Sequence, residues 1–441
     1  MTRTLAALAA VLLATGAHAQ TAAPTASPAP PSDAATPPAA TSAAPAAPAP
    51  AVRQERKLPT GTFAIGERSQ ISINGRAWAE WNNVGADSGS APGATNVPDR
   101  ARLSNNSSYL RVRGEHEFAT EWRAIAQIEA EFGIDGENGL PFSGTRNTGV
   151  GVASPFGTLI LGRWDSPMKQ TTIGLDPFGG TGIFGYYNVF GQQQASATSS
   201  GANRWDRRLN NSLSYTSPSV AGFTALAAYS VGETPRSGTI PVNPFTASGA
   251  LHYKYGPLYL GVAYEYRRDC GNPDADAPGG ASCNQAALGS ATQPKGTDQG
   301  IRAGASYAFK STFTKLSVAY EHISLEAAAI PTAPKKTLSR DAYWGSITQG
   351  IFTNRHQLIL NYGVATSVSG QNVFADDSGT GASYVTAAYR FWLYPDTDVY
   401  AAFTQVTNER NASYRFGSGN FGNVPVGSTS TGWGGGIRYM F

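Results

Sequence analysis

The groups that could do covalent or metal chemistry are few and far apart. Outside the first twenty residues the histidines are His116, His252, His322 and His356, scattered over different segments. No Gly-x-Ser-x-Gly elbow or His-Glu-x-x-His helix accompanies them, so nucleophilic and zinc hydrolysis have no framework. The chain therefore does not read as an enzyme, and no cofactor or metal site is expected. Cys270 and Cys283 are the only cysteines. In an exported protein two thiols this close in sequence are expected to form a disulfide, which would contribute on the order of 3 kcal/mol toward ordering their loop. Metal binding is the weaker alternative, because no histidine or second cysteine pair stands beside them. The densest chemistry is electrostatic. Arginines and carboxylates recur at alternate positions: Arg76 and Glu80, then Arg111, Arg113, Glu115 and Glu117, then Arg123, Glu129 and Glu131. Opposed charges across a narrow, low-dielectric passage would order water and polar solutes, and surplus basic charge would lower the entry cost of anions.

The alternation that positions these charges is that of β-strands, whose successive side chains face opposite sides. In the first such segment Ile71, Ile73, Ala77, Ala79 and Trp81 share one face, while Ser72, Asn74, Arg76, Glu80 and Asn82 share the other. Leu110, Val112 and Phe118 oppose Arg111, Arg113, Glu115 and Glu117. Trp122, Ala124, Ala126, Ile128 and Phe132 oppose Arg123, Gln127, Glu129 and Glu131. Further outward sets are Leu258 to Tyr266, Ile301 to Phe309, Leu316 to Tyr320 and Val385 to Leu393, each taken at every second residue. The segments run about ten residues or more, enough to cross a bilayer at a tilt. Aromatic residues collect at their ends, as at Phe118 and Trp122, Tyr255 and Tyr259, Phe309 and Phe313, and Trp392 and Tyr394.

Composition and the N-terminus fix the compartment. With 14% charged residues, 50 glycines and 11% aromatics, the chain suits lipid on one side and water on the other. The net charge of +3, without a Lys/Arg block, gives no footprint for nucleic acid. Arg3, the apolar Leu5 to Leu13 and Ala17-His18-Ala19 read as a cleaved signal peptide over residues 1–19. Nothing later approaches the roughly 20 apolar residues of a spanning helix, which leaves a closed barrel as the way to cross a membrane. Residues 20–68 read as a disordered periplasmic spacer. Its Ala/Pro-rich part, 20–57, is either a tail without a partner or a tether toward the cell wall.

Residues 69–441 are expected to form the barrel. Seven short turns alternate with eight long polar stretches, near 85–106, 133–143, 164–207, 233–243, 268–298, 324–337, 366–379 and 408–429. That gives about sixteen antiparallel strands, with periplasmic turns and extracellular loops, enclosing a width that can hold an aqueous channel. The last strand places Ile437, Tyr439 and Phe441 on the lipid face, and this ending resembles the assembly signal of bacterial outer-membrane proteins.

Four blocks carry a wider resemblance: Asn106-Ser-Ser-Tyr-Leu-Arg-Val-Arg-Gly114, Phe156-Gly-Thr-Leu-Ile-Leu-Gly-Arg163, Leu175-Asp-Pro-Phe-Gly-Gly180 and Arg208-Leu-Asn-Asn-Ser-Leu-Ser-Tyr-Thr-Ser-Pro218. In their order they resemble the general trimeric porins of Gram-negative bacteria over about residues 69–441. The resemblance implies an outer-membrane homotrimer in contact with lipid and lipopolysaccharide, recognised by the assembly machinery through Tyr439 and Phe441. It also implies a third loop, here Trp164 to about Arg207, folded into the pore. On this likeness Asp176 is the loop carboxylate, and Arg76, Arg146 and Arg208 lie on the basic wall, with Arg111 and Arg113 on the same face. Parity groups Arg208 with Ser212, Ser214 and Thr216, whereas the strand around Arg146 alternates poorly. Two positions depart from the family pattern: Tyr109 replaces a wall arginine, and a second loop acid after Asp176 is missing. The expected function is passive diffusion of small hydrophilic solutes and ions with weak anion preference. The alternatives are a substrate-selective channel for sugar, phosphate or another anion, or a porin that also tethers the outer membrane. Phe184, Tyr186, Tyr187 and Phe190 either offer a stacking surface to solutes or pack the loop against the wall.

Overall fold

The structure, a computed structural model, describes residues 61–136, 143–191, 194–196, 199–200, 205–232, 244–269, 296–327, 335–371, 377–416 and 421–441. Residues 1–60, with the expected signal peptide and the Ala/Pro-rich segment, lie outside the described residues, as do Cys270 and Cys283.

The chain enters through a short strand, β1 (Thr62–Ile65), and turns into β2 (Ser69–Ala86). The wall continues through β3 (Val97–Asn105) and β4 (Tyr109–Ala119), β5 (Trp122–Glu131), β6 (Ser143–Thr145) and β7 (Thr148–Ser154), and β8 (Gly157–Asp165). An inward excursion follows, with helix α1 (Pro167–Thr172) and a small ladder of β9 (Gln194–Ser196) and β10 (Ser199–Ser200). The wall resumes with β11 (Arg208–Thr216), β12 (Phe223–Val231), β13 (Phe245–Tyr255), β14 (Leu258–Arg268), β15 (Gly296–Phe309) and β16 (Thr314–Ala327). It ends with β17 (Lys336–Ile351), β18 (Thr353–Ala365), the short β19 (Ser369–Gln371), β20 (Ala382–Tyr394), β21 (Thr397–Asn408) and β22 (Thr429–Met440). Every pairing is antiparallel between neighbours, and β22 pairs with β2 from Arg76↔Met440 to Ala86↔Ser430, so the sheet closes. With β3/β4 and β6/β7 each a single interrupted strand, sixteen strands make the wall. Among the described residues no helix is long and apolar enough to cross a membrane.

Alternation survives in three dimensions. Along β12 the odd positions from Phe223 to Val231 are exposed outward, while Leu226, Ala228 and Ser230 are buried inside. Ile128, Val150, Leu161, Val318 and Trp433 belong to the same outward apolar band. At the short-turn end Phe118, Trp122 and Phe156 stack at 6.4 and 6.5 Å, Phe223 lies 4.6 Å from Tyr253, and Tyr439 lies 5.7 Å from Phe441.

The seam is more elaborate than the sequence suggests. Gly75 N–H donates to the Phe441 carbonyl (2.8 Å), and Phe441 N–H donates back (3.1 Å). A Cβ at Gly75 would meet the Tyr109 carbonyl oxygen at 2.4 Å and the Phe441 ring at 2.6 Å, so neighbouring backbone and the last residue both close this position to a side chain. Below Phe441 the same edge of β2 is taken by β1, with Thr62↔Ser72 through Ile65↔Ser69 and Ile73 N–H donating to the Gly61 carbonyl at 2.8 Å. Among the described residues, hydrogen bonding of the barrel therefore includes Gly61 and β1, ahead of Ser69, where alternation becomes readable.

Two further differences have local causes. The stretch 85–106, expected as one loop, contains β3, whose Arg100 and Arg102 and Pro98 disguise a strand paired along the upper half of β2. It breaks from β4 at Asn106–Ser108, where Ser107 takes φ 59°. The gap is satisfied locally: Trp78 N–H donates to Ser108 Oγ (2.8 Å), and Asn106 Nδ2 donates to the buried Glu80 (2.7 Å). The poor alternation near Arg146 is a β-bulge. Thr145 pairs with Ala130 and Gly149 with Gln127, so three residues oppose two.

The two faces should respond oppositely to charge. Ile128→Lys on the lipid side is expected to cost about 2–4 kcal/mol, whereas Ser72→Lys on the lumen side should leave stability close to wild type. Denaturant unfolding in lipid vesicles distinguishes them, and equal losses would contradict the assignment of faces.

Candidate pore constriction

Loop 3 (166–207) folds into the lumen because its ends are capped and its middle is apolar. Ser166 starts α1, its Oγ accepting from Lys169 N–H at 3.1 Å, with Pro167 next. The backbone then turns around Asp176. Its carboxylate accepts from the backbone N–H of Phe178 (3.0 Å), Gly180 (2.9 Å) and Tyr186 (2.8 Å), while Gly179 and Gly180 take φ 60° and 68°. Beyond it Phe178, Ile183, Phe184, Tyr186, Val189 and Phe190 are fully buried against Trp78, Trp344, Tyr384 and Tyr400 of the wall. Phe184, Tyr186 and Phe190 thus pack the loop rather than line water.

A buried ion network ties the far end of the loop to the wall. Arg302 on β15 pairs with Asp206 (2.6 Å) and with Glu321 on β16, and Glu321 also takes Arg340 of β17 at 3.1 Å. Gly191 N–H donates to Glu321 (2.9 Å), and Tyr186 Oη donates to Asp206 (2.8 Å). Removing one partner of such a network leaves an uncompensated buried charge, which costs several kcal/mol.

Loop 3 packs on β14 to β18 and also reaches β2, β20 and β21, where Phe178 and Phe184 meet Tyr400 (5.4 and 6.1 Å) and Arg390 donates to the Pro177 carbonyl (2.8 Å). From β20 around to β8 the inner wall carries a basic arc in which three carboxylates are each shared by two cations. Asp398 on β21 takes Arg438 (2.7 Å) and Arg390 (3.4 Å). Glu129 takes Arg111 (2.6 Å) and Arg146 (2.7 Å), the latter also 3.5 Å from Glu131. Asp165 takes Lys169 (2.7 Å) and Arg208 (3.3 Å). Arg113 lies lower. Its register partner on β2 is Ser72, four residues before Arg76 and so roughly 13 Å nearer the short turns; it shares Glu115 with Arg123 at 2.8 and 3.1 Å.

Arg76 differs from the rest. Its guanidinium donates to the Ser107 carbonyl at 3.0 Å, and no carboxylate pairs with it among the described residues. Two aromatic faces hold it instead, Trp78 at 4.8 Å and Tyr109 at 5.5 Å. Tyr109 also receives Arg111 (5.4 Å) and Arg146 (4.8 Å), and Trp78 receives Arg438 (5.0 Å). Where the family pattern has another arginine, this chain places a ring among three. Each such contact contributes about 0.5–2 kcal/mol depending on desolvation, and the ring removes one like-charge repulsion.

The structure brings Arg76, Arg111 and Arg146 together around one ring and puts Arg208 beside Asp165. Arg146 reaches the group through its bulge. Arg208 reaches Asp165, but the parity that grouped it with Ser212 is not the reason: a second bulge at Asn210–Asn211 separates the two, so the alternate count linking them does not hold. Asp176 is placed in loop 3 as expected; it is buried, accepts from three amides of its own loop, and interacts electrostatically with Arg390 and Lys315 of the wall. Residues missed by sequence reasoning are Arg390 and Arg438, and Arg163, which donates to Asn210. Arg438 was within reach, lying between the outward Ile437 and Tyr439. Arg390 had the same signal between Tyr389 and Phe391.

A closed sixteen-strand wall with a long loop folded against its inner face is the architecture of a diffusion pore, and comparison with known proteins agrees. The model of the Gram-negative porin family matches residues 4–411. The chain belongs to that family. An outer membrane porin, protein 32 of Delftia acidovorans, is 32% identical over 166 residues, which are 36% of this chain and 45% of that relative. The aligned part thus spans less than half of that relative's length. Among solved structures, an anion-selective porin from Comamonas acidovorans superposes with a TM-score of 0.65 at 22% identity, covering 85% of this chain and all of the other. The outer-membrane protein OmpT of Vibrio cholerae gives 0.55 at 14% identity over 86% of this chain and 99% of its own. These likenesses establish the barrel of an outer-membrane porin.

Burial pushes the Asp176 carboxyl up to about 6, against the opposing pull of its three amide donors. The protonated form is therefore the better accommodated one. As pH rises from the ordinary carboxylate range through 6, the loop loses that margin and gains a negative charge. Reversal potentials in a KCl gradient are expected to move toward anions between pH 7 and pH 5, and Asp176→Asn should flatten the step; an unchanged step in the variant would assign it elsewhere.

Proposed function

We propose that this porin is a passive diffusion channel for small hydrophilic solutes and ions, with a preference for anions. One observation carries the reading: the basic arc faces a loop whose two acids are both buried. Loop 3 contains two carboxylates, Asp176 and Asp206, the first engaged by backbone amides and the second by Arg302. Its partly exposed residues between 170 and 187 are Gln170, Ile173, Gly174, Pro177, Gly179, Thr181 and Tyr187, all neutral. An anion at the constriction therefore meets Arg76 and the shared-carboxylate pairs, while both loop acids are buried, Asp206 paired with Arg302 and Asp176 held by backbone amides, and a cation meets net repulsion. The anion-selective porin of Comamonas acidovorans has the same fold, which favours the reading. A trimeric assembly is proposed on similar grounds, since a trimer form of the Vibrio cholerae protein is among the structural neighbours. Recognition of Tyr439 and Phe441 by the assembly machinery, lipopolysaccharide contact, and a spacer or cell-wall tether in residues 20–57 complete the proposal.

Replacing Arg76 and Arg111 by Gln tests it. A unit charge about 8 Å from a permeating ion in water is worth roughly 0.5 kcal/mol, a factor of about two in relative permeability for each arginine removed. The permeability ratio obtained from planar-bilayer reversal potentials should shift toward cations by a factor of about two for each arginine, about fourfold in the double variant. Unchanged potentials in the double variant would reject the selectivity mechanism.

A further inference from the structure

The wall opposite the arc holds a second cationic site that neither the family match nor the constriction assigns. A cavity of about 370 Å³ opens at the short-turn end of the lumen, between α1 of loop 3 and strands β13 to β16. Its charged lining is Lys254 from β13 and Lys315 from β16; Ser306, His252 and Gln170 add polar groups, and no carboxylate lines it. Lys315 Nζ reaches only the Gly174 carbonyl, at 3.4 Å, and neither lysine forms an ion pair among the described residues. Asp176, outside the lining, acts on Lys315 alone, so the two lysines that face the cavity outnumber the acid near them, and an anion of two charges relieves their repulsion.

The site is built into the fold rather than left on a surface. His252 Nε2 lies 3.0 Å from Thr171 Oγ1, and Tyr259 Oη donates to the Thr171 carbonyl at 2.8 Å, so α1 is pinned to the wall behind the cavity. Gly261 and Gly304 leave room for that close approach. A side chain at the first would meet Thr171 Cγ2 at 2.9 Å, and at the second Leu175 Cδ1 at 2.5 Å. The chain gives up two wall side chains and thereby seats the helix where Lys254 and Lys315 share one opening.

We propose that this cavity is a second anion subsite, at the periplasmic mouth, for a small divalent oxyanion of the size and charge of phosphate. Lysine ammonium groups bind phosphate as point charges, and the Ser306 hydroxyl supplies a neutral donor. The inference rests on the anion-preferring reading of the pore, deepening it into two sites on opposite walls: the arginine arc at the constriction and the lysine pair at the exit.

The test uses the full-length porin in planar bilayers at fixed KCl and pH 7.5, with inorganic phosphate added to one side. Phosphate is expected to reduce chloride current saturably, at least fivefold more effectively from the short-turn side. Lys254→Gln with Lys315→Gln should weaken that block at least fivefold, while Lys254→Arg with Lys315→Arg should retain it; heat-modifiable mobility establishes that each barrel has folded. A block that is linear in phosphate, symmetric, or unaltered by the Gln pair would overturn the subsite. Reversal potentials of the wild type in KCl alone separate the two proposals. Anion preference without phosphate block leaves the pore reading standing and removes only the subsite; cation preference removes both.

Discussion

Everything in this molecule depends on the requirement that no backbone N–H or C=O stay unpaired where lipid excludes water. A sheet meets it only by closing, and closure here means the register of β22 on β2. Phe441 and Gly75 exchange hydrogen bonds at the end of that seam, and β1 takes over the edge beyond. The glycine matters because a Cβ would run into the Tyr109 carbonyl and the terminal ring. A closed, stiff wall then supplies the fixed inner surface on which the third loop can fold.

That loop behaves as a core inserted into a cylinder. Its aromatic residues bury against inward-facing Trp78, Trp344, Tyr384 and Tyr400, and its carboxylates are used up in holding it. The loop's own packing is apolar and ion-paired, while the wall from β20 around to β8 carries surplus positive charge. The asymmetry follows from stoichiometry: Asp398, Glu129 and Asp165 each serve two basic groups, and Arg76 is held by rings and carbonyls instead. Aromatic faces attract a guanidinium without neutralising it, so the positive charge stays available to a passing anion.

The alternating segments from Ser69 onward, the seven turns and the outward aromatic ends could all be read residue by residue, since lipid on one face and water on the other enforce a period of two. Where a strand departs from that period, reading failed for identifiable reasons. Val97–Asn105 carries Asp99, Arg100 and Arg102 and begins with Val97-Pro98, so it resembled a loop. Arg146 and Arg208 stand next to bulges, each of which inserts one residue and reverses the parity beyond it. Arg390 and Arg438 were legible by alternation, yet alternation alone did not single them out among many lumen residues.

The sequence by itself determined that this chain is a membrane barrel, how many strands it has, which faces meet lipid and which loop is long enough to enter the pore, because these follow from local period and segment length. Only the tertiary structure decided which charges are surplus, that Asp176 turns inward on its own loop, and that Tyr109 stands among three arginines. Those outcomes depend on register between strands far apart in the chain, and a shift of one residue would exchange the lumen face for the lipid face.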